Sequence, residues 1–437
     1  MYAHILHQLN RLSVSVPGLY GSVVKTSGST IYTNSKCYID FFSASGRLNY
    51  GHNNHKLLNS LLNDQQLHEV SQRNKNEDIK RRLLSAFDEY LIQPRKWRYS
   101  ALVAGPSGAC ALEDAINIAR KVTGRNGTIA FAEGFHGVKG ISLSGATANI
   151  FEYLGLSADQ STVFMPYDRC LGPDVDTMAC LEQWLLNTSK YDRSKIPAAV
   201  VVETVLGQGS VSVLTWRWLK DLEQLCKRYG MLLILDDTHV GCGRTGRFFS
   251  FESASVEPDI IVLTKSLSGF GLPLSMLLIH DSYGLAQNYY ESRFGYYKST
   301  ALASLTAIHA LQTYWHDDAF ALSIQNKEIL VRDWLENLVH SYSGYGFSVR
   351  GRGLIQGLVM PFTDGLAKKV ADLCFHNGII IDTSGINDEV LKLQPALTIE
   401  TDLLIKGLEL IESSLAKVIS SSSELIRNSV QKNSDQA

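Results

Sequence analysis

Four charged residues stand where a buried strand is expected to end and where each must find a partner. Glu203 follows the apolar run Ala198 to Val202, Asp236 and Asp237 follow Met231 to Leu235, and Lys265 follows Ile260 to Leu263 after one threonine. The carboxyl ends of parallel strands are where open α/β sheets bind their ligands. An ionised carboxylate or ammonium there is costly unless an opposite charge or a hydrogen-bond donor meets it. On one reading Asp236 and Lys265 neutralise each other in a structural salt bridge, with no chemistry attached.

A second reading puts pyridoxal phosphate between them. A strand-end lysine bonds the aldehyde of that cofactor and an aspartate keeps its pyridinium nitrogen protonated, so one ligand accounts for both residues. The cofactor also needs a phosphate cradle. Gly105-Pro106-Ser107-Gly108-Ala109, just ahead of a helical pattern, offers small residues and free backbone N–H groups at a helix N-terminus. Taken alone such a turn is a plain helix entry, and it gains meaning only beside Asp236 and Lys265.

The elements that must position these residues are legible as pattern. Short, wholly apolar runs ahead of polar loops and amphipathic helices read as parallel strands buried on both faces. Between two of them a helix is expected from about Thr215 to Tyr229, with Leu219, Leu222, Leu225 and Cys226 on one stripe and Gly230 as its stop. A second helix follows Gly108, with Leu112, Ala115, Ile116 and Ala119 facing inward and Gly124 beyond its end. The first fifty or so residues read as short hairpin strands around Ile31 and Tyr38 to Phe42. The division expected is an N-terminal segment 1–55 and a C-terminal region 316–420 forming one smaller domain, a large domain 56–315, and a flexible Ser-rich tail 421–437.

Composition removes several classes. Of 437 residues 45% are hydrophobic and 19% charged, as in a soluble globular protein with a large core. Lys and Arg number 41 against 43 Asp and Glu, so no basic surplus faces a nucleic-acid backbone. No apolar run approaches the roughly 18 residues of a membrane span. The N-terminus has no secretory pattern, and the cytoplasm is the expected location. The seven cysteines are scattered and never in CxxC spacing, which argues against a disulfide framework and a zinc site. Nicotinamide and P-loop chemistry lack their glycine motifs.

Longer motifs carry a resemblance. The segment from Leu235 to Phe249, with Asp236-Asp237 followed by Gly241-Cys242-Gly243-Arg244-Thr245-Gly246, resembles the signature of class III, fold-type-I aminotransferases that depend on pyridoxal phosphate. Lys265-Ser266-Leu267-Ser268-Gly269 resembles the loop that carries their lysine. With Leu48-Asn49-Tyr50-Gly51-His52-Asn53-Asn54, Ala119 to Arg125 and Val202-Glu203-Thr204-Val205, the likeness covers nearly the whole chain and is strongest to members acting on diaminobutyrate and 2-oxoglutarate.

The resemblance implies an α/β fold with a large domain around a mostly parallel, seven-stranded type of sheet and a smaller α/β domain built from both chain ends. It implies that Lys265 bonds the cofactor and moves protons, that Asp236 holds the ring nitrogen, that Phe135 stacks on the ring beside His136, and that Ser107, Gly108 and Ala109 cradle the phosphate. It also implies a small amino donor, a keto or aldehyde acceptor, a homodimer with shared sites, and a substrate region containing Glu203, Arg47, Tyr50 and Lys392. Lys392 stands where the class usually has Arg; as a lysine it lacks the bidentate fork, and a surface charge is the other reading of it.

Departures cluster at expected cofactor contacts. Thr238 replaces a branched apolar residue, His239 replaces a Gln, and Tyr296 stands where a Thr is usual, with Ser299 and Thr300 nearby as substitutes. They leave open an altered reaction of the same cofactor (isomerisation, decarboxylation or condensation) and a non-catalytic relative. Retention of Asp236 and Lys265 counts against the last.

Overall fold

The computed structural model describes residues 23–69, 73–134, 136, 161–284, 301–361 and 365–434. Three short strands, β1 (Val23–Ser27), β2 (Thr30–Thr33) and β3 (Cys37–Asp40), open it as an antiparallel meander. The apolar runs then become β4 (Tyr99–Val103), β5 (Thr128–Phe131), β6 (Thr162–Met165), β7 (Ala199–Val202), β8 (Leu232–Asp236), β9 (Ile260–Leu263) and β10 (Met276–His280). They form one seven-stranded sheet in the order β4-β10-β9-β8-β7-β5-β6. Strands β5 to β9 pair in parallel, while β10 runs antiparallel to both β9 and β4.

Burial on both faces explains why β7 and β9 carry no polar residue and β8 none before Asp236. Val200, Val202, Leu233, Leu235, Ile261 and Leu263 enter the core on one side of the sheet. Ala199, Val201, Leu232, Ile234, Ile260 and Val262 enter the other, under Ala111, Leu112, Ala115 and Ile118 of the helix Gly108–Thr123. That helix and its counterpart Trp216–Tyr229 end where expected, at Gly124 and Gly230 in left-handed geometry with φ of 68° and 63°. Thr215 caps the second by accepting from the Trp218 N–H at 3.3 Å.

The remaining strands are β11 (Ser348–Arg352), β12 (Ile355–Val359), β13 (Ile379–Ile380), β14 (Asp382–Ser384) and β15 (Val390–Leu393). Four of them make a second sheet in the order β11-β12-β15-β14, while β13 pairs in parallel with β3 and so ties the two ends of the chain into one layer. One difference from the expected pattern lies at the C-terminus. The helix Thr401–Ser434 continues through most of the stretch assigned to a tail. Within it Ser420 and Ser421 turn their hydroxyls back onto the carbonyls of Ala416 and Lys417, each at 2.9 Å. Among the described residues no helix is long and apolar enough to cross a membrane.

Candidate active site

Parallel register gathers the charged residues at one edge of the sheet. Asp236 closes β8 opposite Val262 of β9, so Lys265, just beyond β9, emerges beside it. Glu203 follows β7, and β5 leads through Ala132, Glu133 and Gly134 to His136. Asp236 and Lys265 do not pair with each other. Asp236 Oδ2 lies 2.8 Å from Nδ1 of His136, and Oδ1 accepts from the Thr238 N–H at 3.1 Å. Burial pulls the His136 pKa down, but the hydrogen bond and charge of Asp236, helped by Glu203, more than offset it and leave the value raised. The acid at the strand end has therefore found a hydrogen-bonding partner, and it is a histidine.

Lys265 has a φ of 51°, in the left-handed region that a side-chain-bearing residue enters only under constraint. Its amine lies 2.6 Å from Nδ1 of His239 and donates to the Ser45 carbonyl at 3.2 Å. Burial, then the positive charges of Lys392 and Arg47, lower its pKa to about 7 against the opposing pull of Glu203 and Asp236. A large fraction of the amine is therefore neutral near pH 7, as a nucleophile or base requires. His239 is buried; burial and the cations Lys265 and Lys392 hold its pKa well below the ordinary value.

Lys392 is no surface charge. It lies on β15 at 2% exposure, with its amine 3.5 Å from the Gly207 carbonyl. Arg47 is exposed and reaches the site through its charge. Tyr50, expected in the substrate region, is buried in an aromatic cluster. Its ring stacks on Tyr314 at 4.9 Å and its hydroxyl accepts from the Trp315 indole N–H at 2.8 Å. The apolar ring is better satisfied among Leu57, Ala310 and Phe320 than at a polar mouth. Phe135, Tyr296, Ser299 and Thr300 lie outside the described residues.

The glycine turn has the features of an anion cradle. Ser107 caps the helix by accepting from the Cys110 N–H at 3.3 Å, and the first-turn N–H groups of Gly108 and Ala109 have no intrahelical acceptor. A Cβ on Gly108 would meet Cγ2 of Thr238 at 2.9 Å and Cγ2 of Thr264 at 3.0 Å, so the small residue is required. The buried Thr238 hydroxyl beside it has no partner among the described residues. Free donors, an orphaned hydroxyl, a depressed lysine and a histidine-held aspartate fit pyridoxal phosphate with its phosphate, aldehyde and ring nitrogen.

Aminotransferase class-III sequences share a profile that matches residues 13–415. The chain belongs to this family. A diaminobutyrate–2-oxoglutarate transaminase of Bordetella parapertussis is 51% identical over 88% of this chain and 87% of its own length. One from Halalkalibacterium halodurans is 40% identical over 88% and 89%. Among solved structures, taurine:2-oxoglutarate aminotransferase of Bifidobacterium kashiwanohense, in complex with PLP and glutamate, superposes with a TM-score of 0.77 at 19% identity, covering 92% of this chain and 93% of that one. N-acetylornithine aminotransferase of Stenotrophomonas maltophilia gives 0.71 at 21%, covering 95% and 99%. These structures share its fold.

In this class III aminotransferase, sequence reasoning missed three groups around the lysine: the Ser45 carbonyl, Gln208 and Gln394. Gln394 lies 2.8 Å from Nε2 of His239, and Gln208 lies 3.3 Å from its Nδ1. Period-two alternation from Lys392 could have flagged Gln394. A backbone carbonyl such as that of Ser45 leaves no mark in a sequence. The signature arginine, Arg244, is fully buried and donates to Asn49 Oδ1 and to the carbonyls of Leu354 and Pro395. Asn49 in turn donates its backbone N–H to Ser266, next to the lysine, at 3.1 Å.

Proposed function

We propose that this enzyme moves an amino group between L-2,4-diaminobutyrate and 2-oxoglutarate, with aspartate 4-semialdehyde and glutamate as the other pair. The observation that carries the reading is the 51% identity, over 88% of the chain, to a transaminase of that name, joined to a site that retains Lys265, Asp236 and Glu203 at adjacent strand ends. Bound pyridoxal phosphate supplies an aldehyde that takes up the amino group and a ring that draws electrons from the carbon losing its proton.

The chain's residues do the rest. Lys265 bonds the cofactor and, once released, its neutral amine carries the proton to and from the substrate carbon. Asp236, steadied by His136, holds the proton on the ring nitrogen. Gly108, Ala109 and Ser107 would hold the phosphate with backbone N–H groups and a hydroxyl, and Thr238, packed against Gly108, would offer its unpartnered hydroxyl to the same cofactor. Lys392 binds a substrate carboxylate as a point charge, and Glu203 faces the cationic end of the ω-amino acid. Phe135, Tyr296, Ser299 and Thr300 complete the cofactor contacts, and a homodimer with shared sites belongs to the same reading through the family resemblance. Seven free cysteines accord with a reducing compartment such as the cytoplasm.

The test is the near-ultraviolet and visible spectrum of cofactor-loaded protein with separate additions of diaminobutyrate and glutamate. Bleaching of the lysine-bound band to the pyridoxamine form by both is the expected result. A band that shifts without bleaching overturns transamination in favour of another reaction of the same cofactor.

A further inference from the structure

We propose that His239 is a positioning residue for the catalytic lysine: its neutral ring accepts a hydrogen bond from the Lys265 amine at Nδ1, and Gln394 fixes the tautomer that permits this. The inference rests on Lys265 being the cofactor-bonding residue.

The ring is held from separate parts of the chain. Nδ1 has two nitrogen neighbours, Lys265 Nζ at 2.6 Å and Gln208 Nε2 at 3.3 Å, and Gln208 is itself tied to the Ser45 hydroxyl at 2.9 Å. Two donors converging on one ring nitrogen make it the acceptor, so the proton of the neutral ring sits on Nε2. There the neighbour is the Gln394 amide nitrogen at 2.8 Å, a donor facing a ring N–H, while the buried Oε1 of the same amide has no partner among the described residues, so a half-turn of the amide pairs both groups. With that oxygen turned to the ring, Gln394 accepts from Nε2–H and one bond satisfies two buried groups.

Packing confines the imidazole. A Cβ on Gly207 would lie 2.6 Å from Cγ of His239, and one on Gly46, whose φ is 75°, would strike the Gln394 amide that faces the ring, so a side chain at either position would disturb the cluster. The charged groups acting on this cluster are Lys265, Lys392, Arg47 and Arg244 against Glu203 and Asp236. The cations, together with burial, oppose a proton on the imidazole. Nδ1 of His239 is thus left as an acceptor, and it aims the amine while favouring its ammonium form.

The experiment uses the full-length apoenzyme. In ¹⁵N NMR with labelled histidine, the His239 signal is expected to show a neutral ring with its proton on Nε2; a proton on Nδ1, or an imidazolium at pH 7, overturns the proposal. The second readout is the pH profile of pyridoxal phosphate capture, in which the neutral Lys265 amine adds to the aldehyde carbon and one water leaves. Loss of the acceptor in His239→Leu is expected to move the inflection down by about one pH unit and to slow capture at the plateau by roughly tenfold. His239→Asn, whose amide oxygen stands near the place of Nδ1, is expected to recover both. An unchanged profile in His239→Leu sinks the proposal. Failure of the wild-type apoenzyme to capture the cofactor instead removes the assignment of Lys265.

Discussion

Asp236 Oδ2 and His136 Nδ1 meet at 2.8 Å, and neither residue is more than 4% exposed. The carboxylate that would hold the cofactor's ring nitrogen is thus already oriented by a hydrogen bond from His136. Asp236→Asn is expected to retain the cofactor and to lose activity by about 10²-fold or more, because an amide cannot hold the ring proton. Its stability has a sign that can be checked. The His136 pKa is raised in the fold, so its contribution is full below the ordinary value of 6.5 and fades as pH rises through the raised value. Thermal melts should therefore separate wild type from the variant most at acid pH and bring them together at alkaline pH; a constant gap would remove His136 from the account.

The Lys265 amine titrates at about 7 because burial and the charges of Lys392 and Arg47 outweigh the acids nearby. Two substitutions should move it in opposite directions. Lys392→Met removes a cause of the lowering and should shift the inflection of cofactor capture to higher pH, while Glu203→Gln removes an opposing charge and should shift it lower. The apoenzyme's own stability follows from the same shift. Between about pH 7 and 10.5 the unfolded chain holds a proton on Lys265 that the fold does not, so the penalty this group places on folding is relieved as pH rises across this window. Stopped-flow absorbance across pH measures the first effect, and shifts in the same direction for both variants would contradict the electrostatic reading.

At Gly108 the absence of a side chain is a spatial requirement. A methyl group there would lie 2.9 Å from Thr238 Cγ2 and 3.0 Å from Thr264 Cγ2, inside the cradle proposed for the phosphate. Gly108→Ala is expected to weaken pyridoxal phosphate binding by at least tenfold while leaving the helix intact, since alanine favours helix. Equilibrium titration of apoenzyme with cofactor measures this, and unchanged affinity would move the phosphate away from the turn.

How much of this was legible in the sequence varies with the range of the interaction. Strands β7, β8 and β9 and the helix Trp216–Tyr229 are set by local pattern and punctuation, so Glu203, Asp236 and Lys265 fell at strand ends as read. The partners were not legible, because they come from distant segments: His136 lies a hundred positions before Asp236, and Ser45 lies 220 before Lys265. A salt bridge between Asp236 and Lys265 was the simplest neutralisation of two opposite charges at adjacent strand ends, yet each found a histidine. The packing around Tyr50 was hidden for a related reason. A tyrosine in a motif looks the same whether its ring lines a cleft or joins Tyr314 and Phe320, and only tertiary packing decides between them.

Arg244 shows why the signature segment needs its arginine for more than chemistry. The guanidinium is wholly buried, with a pKa pressed down to about 9, and it spans Asn49 near the N-terminus and the carbonyls of Leu354 and Pro395 near the C-terminus. No carboxylate pairs with it among the described residues, so carbonyl and amide oxygens offset the desolvation of its charge. Arg244→Met keeps the bulk but leaves three buried acceptors without a donor, and should cost on the order of 3 kcal/mol of stability. The same change loosens Asn49, whose backbone N–H bonds Ser266 beside the lysine. Turnover should then fall together with stability, whereas cofactor affinity, which depends chiefly on the Gly108 turn and Lys265, should fall less. Denaturant melts and cofactor titration on the same variant measure the two separately, and a loss confined to cofactor affinity would make Arg244 a cofactor contact instead of a tie between the chain ends.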